Sequence, residues 1–238
     1  MKVDLLAIAA HPDDVELTSG GTLLKMAAAG YRTGVLDLTR GETGTRGTPE
    51  KRLKEAARAA RIMRLTVRRN LGLPDAHLQM RDEYKVAIAE VIRELQPRTV
   101  ILPYWEGRHP DHYMAAQLGY EACFVAGLKN YPLGGEAYRP FKILYAAAYE
   151  YQRPTFCVDI TQEFARRKQA ILAYASQFTP PQQERRGKVV LPLDELEARM
   201  NSMAQYYGRL IGARYAEGFI VKEVMQVEDV LRMQVRSL

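Results

Sequence analysis

Three of the four histidines in this 238-residue chain, together with three aspartates, fall in two short runs: His11-Pro12-Asp13-Asp14 and His109-Pro110-Asp111-His112. Imidazole nitrogen and carboxylate oxygen are the donors that borderline divalent metals prefer. A catalytic zinc takes three protein ligands and keeps a fourth position open. His11 and Asp14 stand three residues apart at a strand-to-helix corner, so both side chains can turn to one side while Asp13 points elsewhere. His112 from the second run completes a His₂Asp face. Asp13 is then left beside the metal, placed to take a proton from water. His109 and Asp111 remain as an imidazole–carboxylate pair able to fix a tautomer or keep the ring protonated. Metal, base and acid together describe a hydrolase.

Both runs sit where an α/β sheet would place them. Leu5 to Ala10 is a continuous apolar run, the mark of a strand buried on both faces. It ends at His11, and a helical stretch from Gly20-Gly21 is stopped by Gly30. Thr33 to Thr39 repeats the strand signal, and a Gly/Thr-rich loop then leads to a helix start at Thr48-Pro49. TVRRNLGL reads as a third strand, DEYKVAIAEVIREL as a helix, and Thr99 to Tyr104 as another buried strand just ahead of His109. The pattern is helical from His112 to about Gly127. KILYAAAYEY and TFCVDI then read as two strands at a sheet edge, with helices over 161–176 and 193–214. The Pro-rich stretch between those helices, FTPPQQERRGKVVLP, is of the kind that covers a site. The expected fold is α/β: a Rossmann-like three-layer arrangement with a mostly parallel sheet and additional C-terminal strands and helices, forming one domain over residues 1–238. Ligands of such sheets bind beyond the carboxyl ends of the strands, where both histidine runs lie.

Composition removes other classes. A 47% hydrophobic, 26% charged chain is neither disordered nor a disulfide scaffold. Cys123 and Cys157 sit in apolar surroundings and read as buried small hydrophobes, which suits a reducing cytoplasm. No stretch approaches the roughly 18 apolar residues of a membrane span. The net charge of +6 is mild, and the richest basic segment (Arg61, Arg64, Arg68, Arg69) reads as a solvated face, so no nucleic-acid partner is expected. Gly41, Gly44 and Gly47 lack the Lys-Ser/Thr of a phosphate loop, and Ser19-Gly20-Gly21-Thr22 is no dinucleotide fingerprint.

AHPDDVELTSGGTL together with RHPDH resembles the LmbE-like (PIG-L) metal-dependent N-deacetylases, which release acetate from N-acetylglucosamine units. DLTRGETGTRGTPEKR, NLGLPD, YASQF and YAEGF extend the resemblance to the bacillithiol-biosynthesis branch, which acts on N-acetylglucosaminyl malate. Some of its members also cleave bacillithiol S-conjugates. The resemblance implies one zinc per chain on His11, Asp14 and His112, other divalent metals being able to fill such a site. It implies Asp13 as general base, His109 as acid or oxyanion stabiliser, and Asp111 as the group that orients His109. Arg52 matches an arginine that similar proteins use near the site, and Arg108 precedes the second run; both are candidates to grip a substrate carboxylate. Chitobiose-type and mycothiol-type substrates are the alternatives. The resemblance further implies a small-molecule partner, a cytoplasmic location, and a homo-oligomer with hexamers among its forms. One departure stands out. Relatives supply an oxyanion tyrosine where Gly107 or Leu196 stands here, leaving Tyr104, Tyr206 and Tyr207 as substitutes. His77 reads as a loop residue.

Overall fold

The structure, a computed structural model, describes residues 1–147, 152–178, 193–233 and 235. Its elements run β1 (Leu5–Ala9), α1 (Asp14–Thr18), α2 (Gly20–Ala28), β2 (Thr33–Thr39), α3 (Pro49–Met63), β3 (Val67–Leu73), α4 (Asp82–Leu95), β4 (Thr99–Pro103) and α5 (Pro110–Ala126). There follow β5 (Lys142–Ala146), β6 (Phe156–Asp159), α6 (Phe164–Leu172), α7 (Ala175–Phe178), α8 (Leu193–Ile211) and β7 (Ala216–Ile220). One seven-stranded sheet takes the order β3-β2-β1-β4-β5-β7-β6. The first five strands in that order are parallel, and β7 pairs antiparallel with β5 and β6. The expected α/β class with a mostly parallel sheet is what the chain forms.

The two-residue period of a strand explains the layers. Leu6 and Ile8 of β1 pack with α4 and α5, through Ile88, Ile92, Leu118 and Ala122. Leu5, Ala7 and Ala9 face the other way, toward Leu23 of α2, Ala59 of α3 and Ala170 of α6. With both faces covered, β1 and β2 are buried throughout, as their unbroken apolar runs require.

Sheet order also fixes the site. From β1 the chain winds outward through β2 to β3, then returns to place β4 on the other side of β1, with Leu5 beside Thr99 and Ala7 beside Ile101. The carboxyl ends of β1 and β4 therefore flank the point where strand order reverses, and a crevice opens there. His11 follows β1, and His109 follows β4.

KILYAAAYEY and TFCVDI each contribute a strand, β6 at the sheet edge and β5 further in with β7 between them; residues 148–151 of the first lie outside the described residues. One expectation needs correction. The helix expected over 193–214 ends at Ile211 and is followed by β7, a strand the sequence pattern did not announce. Its Glu217 is buried and accepts the Gly21 and Thr22 backbone N–H groups at 2.8 and 2.7 Å, capping α2 with a carboxylate at the positive end of the helix. Gly21 is obligatory there, since a Cβ would lie 2.7 Å from Ile160. The Pro-rich stretch expected to cover the site falls, over 179–192, outside the described residues. Among the described residues no helix is long and apolar enough to cross a membrane.

Candidate metal centre

β1 ends on a tight corner. The Asp14 N–H donates to His11 O at 3.3 Å, and the His11 N–H donates to Asp14 Oδ2 at 2.9 Å, so two future ligands lock one another at the backbone. His11 Nδ1 then lies 3.2 Å from Asp14 Oδ2. From the other strand end, His112 in the first turn of α5 places Nε2 3.1 Å from Asp14 Oδ1. The three donor sets lie within 4.8 Å of one another. Two imidazoles thus converge on one carboxylate, with the residue types and the open three-ligand form of a catalytic divalent-metal site. The expected trio is brought together, and the donor chemistry fits a metal.

The other nitrogen of His11 is held as well. Its Nε2 sits 2.9 Å from Asp75 Oδ1 and 3.4 Å from Asp111 Oδ2. Burial alone would lower the His11 pKa. Asp14, Asp111 and Asp75 overcome it and raise the ring to about 12. A carboxylate on the far nitrogen of a ligating histidine fixes its tautomer and orientation. Asp75, just past β3, was not singled out in the sequence. Its second oxygen accepts both the N–H and the hydroxyl of Thr43, at 2.9 and 2.7 Å, so it ties the loops after β1, β2 and β3 together.

Asp13, at the N-cap of α1, takes an uncommon backbone conformation, φ 113°. The carboxylate meets Arg52 of α3, whose Nη2 lies 3.2 Å from Oδ2. Burial pushes the Asp13 pKa up, Arg52 opposes this and Asp14 adds to it, leaving it at about 7.

The structure revises two expectations around this corner. The Asp111 carboxylate is turned from His109: it accepts the Ala76 and Leu78 N–H groups at 2.7 and 3.3 Å and faces His11, because the loop after β3 folds over it. His109 instead caps α5, its Nδ1 accepting the Asp111 N–H at 3.3 Å, which leaves Nε2 as the donor of the neutral ring. Burial and the neighbouring His112 and His11 lower its pKa. Arg52 is buried and already donates to Pro12 O at 2.8 Å and Gly41 O at 3.1 Å as well as to Asp13, so it is not free to receive a substrate carboxylate.

Arg108 is exposed beside the second run, and His77 is exposed on its loop. Tyr207 is buried, its hydroxyl donating to Ala147 O at 2.5 Å, and cannot serve as the missing oxyanion tyrosine. Arg68, read as part of a solvated face, has a buried side chain: its guanidinium grips Asp37 of β2 at 2.8 and 2.9 Å and Glu16 of α1 at 2.5 Å.

The model of the PIG-L family, described as GlcNAc-PI de-N-acetylase, matches residues 6–123, a span that holds both histidine runs. The diacetylchitobiose deacetylase of Thermococcus kodakarensis is 33% identical over 230 residues, covering 90% of this chain and 81% of that protein. The chain belongs to the PIG-L family. Among solved structures, the conserved protein TT1542 of Thermus thermophilus is 41% identical with a TM-score of 0.86, covering 95% of this chain and 98% of its own. The 4-carboxy-2-hydroxymuconate hydratase GalB of Pseudomonas putida aligns with a TM-score of 0.79 over 97% of this PIG-L chain and 100% of its own, at 22% identity. That likeness shows the fold alone, and a hydratase on the same fold means that chemistry must be argued from the site. The PIG-L family is one of deacetylases, hydrolases of amide bonds, and its metal dependence is matched here by the His11–Asp14–His112 group.

Proposed function

We propose that this protein is a zinc-dependent N-deacetylase that removes the acetyl group from a small N-acetylglucosamine compound in the cytoplasm, with N-acetylglucosaminyl L-malate as its substrate. The observation that carries the reading is the convergence of His11, Asp14 and His112 on one face with Asp13 at its edge.

His11, Asp14 and His112 would hold one zinc per chain. When bound, such an ion supplies Lewis acidity and lowers the pKa of water toward ~7. Asp13, braced by Arg52, takes the proton from the attacking water as its oxygen bonds to the acetyl carbon. The His109 Nε2–H donates to the carbonyl oxygen as charge develops there, a contribution of roughly 3–4 kcal/mol for a well-placed donor. The carbon–nitrogen bond then breaks, the amine takes up the proton, and acetate leaves. Asp75 and Asp111 keep His11 turned to its place. Arg108, exposed beside His109, is left to meet a carboxylate on the substrate.

A second reading has its own support: the 33%-identical relative carries the name diacetylchitobiose deacetylase. Acetate release from N-acetylglucosamine, its malate glycoside and diacetylchitobiose, assayed in parallel on protein of known metal content, tests both. The malate glycoside should give the highest kcat/KM. Preference for the disaccharide moves the substrate to the second reading. Release that survives chelation overturns the metal mechanism.

A further inference from the structure

A cavity of about 150 Å³ lies beside α5, where the chain leaves β4 and β7. Trp105, Tyr120 and Tyr145 line it, and Lys222 brings its ammonium to 4.6, 5.2 and 4.8 Å from those three rings. Aromatic faces attract a cation without neutralising it, and its N–H donors still call for an acceptor. Among the described residues the Lys222 ammonium has neither a carboxylate partner nor a hydrogen-bond acceptor. Tyr145 is 1% exposed, and its hydroxyl has no hydrogen-bond partner either. Burial raises its phenol, so the O–H keeps its proton and stays a donor. A buried hydroxyl left in this way is a cost that folds ordinarily avoid. The Trp105 ring stands edge-on to Tyr145 at 4.8 Å, which steadies the wall between them.

We propose that this cavity binds a small organic monocarboxylate, its oxygens accepting from Lys222 Nζ and Tyr145 Oη and its apolar body lying against Trp105. The donors select the class. A carboxylate only accepts, and an ionised acceptor makes the stronger hydrogen bonds with an ammonium and a hydroxyl. Charge limits the ligand to one negative unit. Besides Lys222 the lining carries Glu121, 3.4 Å from Lys85, and that acid would repel a phosphate or a second carboxylate. Size keeps the ligand small, because 150 Å³ falls well below the roughly 300–1,000 Å³ of sites for drug-sized molecules. The lining holds none of His11, Asp13, Asp14, His109 and His112, so the cavity is distinct from the metal centre. The two share α5, on which Ala116, one turn past His112, forms part of the cavity wall. Occupancy needs neither the metal nor an acetylated substrate.

Trp105 is the single tryptophan of the chain, so its fluorescence reads the site directly. Sodium butyrate titrated into the full chain at constant ionic strength should give a saturating change in that emission. Butyramide, of similar shape without the charge, should give none. Lys222→Met, which keeps an apolar stem against the rings, should abolish saturation, and Lys222→Arg should restore it. Tyr145→Phe should raise the Kd roughly 2–10-fold. His112→Ala, which removes a candidate metal ligand, should leave the Kd unchanged. No saturation by butyrate, an equal response to butyramide, or an unchanged Kd in Lys222→Met overturns the site. A response lost in His112→Ala places the anion on the metal and overturns it as well. An unchanged Kd in Tyr145→Phe overturns the part given to that hydroxyl. If Tyr145→Phe does not fold, the Lys222 variants, altered at an exposed position, decide.

Discussion

The guanidinium of Arg52 reaches from α3 to within 3.2 Å of the Asp13 carboxylate while also holding the carbonyl of Pro12. One side chain therefore sets both the backbone corner and the acid it presents. Asp13→Asn keeps the shape and removes the base, so turnover should fall by roughly 10²–10⁴-fold with metal content and Tm unchanged. Arg52→Ala leaves Asp13 buried without its cation, and kcat should fall about 10–10²-fold. The KM ratio between the malate glycoside and N-acetylglucosamine should stay constant. A selective rise in KM for the anionic substrate would restore Arg52 to the carboxylate-binding role that its sequence position suggests.

Asp75 faces the far nitrogen of His11 at 2.9 Å and has no proposed contact with reacting atoms. Its expected effect is on the metal. Asp75→Asn should weaken divalent-metal affinity about 10–100-fold, the usual cost of removing such a partner. Competition against a chromophoric chelator measures this without recourse to activity. The cobalt-loaded variant should show an altered visible spectrum, because His11 would no longer be held in one orientation. Unchanged affinity and spectrum would reduce Asp75 to a loop anchor for Thr43.

The metal trio was legible because histidine is scarce and strand ends are where such folds bind ligands. Its supports were not. Asp75 meets His11 across 64 positions of the chain, and an aspartate in a loop after a strand looks like any turn residue. Arg68 passed for a surface residue because its partners, Glu16 and Asp37, lie 52 and 31 positions away. β7 escaped notice for a related reason: Glu217 interrupts its apolar pattern, and only the fold reveals that this carboxylate caps α2. Tyr174 and Ser176 of YASQF, quoted only as a family signal, serve the interior. The Tyr174 hydroxyl donates to Glu16 at 3.0 Å, and Ser176 donates to Glu55 through both its N–H and its hydroxyl.

Both cysteines are free, and burial raises their thiols, Cys123 to about 12 and Cys157 to about 11. The reactive thiolate is therefore scarce at neutral pH. Native protein treated with iodoacetamide at mildly alkaline pH should remain unmodified at Cys123 and react slowly at the half-buried Cys157, while unfolded protein takes up a label at each. Mass spectrometry reads the count. Fast labelling of Cys123 in the native state would contradict its place on the buried face of α5.

Arg68 is the cation between two buried carboxylates, and its loss should register in stability with a definite pH dependence. Burial already raises the Asp37 pKa, and Arg68 opposes that rise. In Arg68→Met the opposition is gone, so the folded-state pKa of Asp37 climbs further above its unfolded value. A carboxylate raised in this way is tolerated below its unfolded pKa, where it is neutral in both states. It costs progressively more as pH rises toward the folded value, because the unfolded chain can ionise and the native one resists. Breaking a buried pair costs about 3–5 kcal/mol, and most of that should appear at neutral pH. Urea unfolding at pH 5 and pH 8 should show the larger deficit at pH 8. Arg68→Met/Asp37→Leu, which removes the charge along with its partner, should recover part of it. A deficit that is equal at both pH values would mean that Arg68 acts through packing of its stem and not through the carboxylates it bridges.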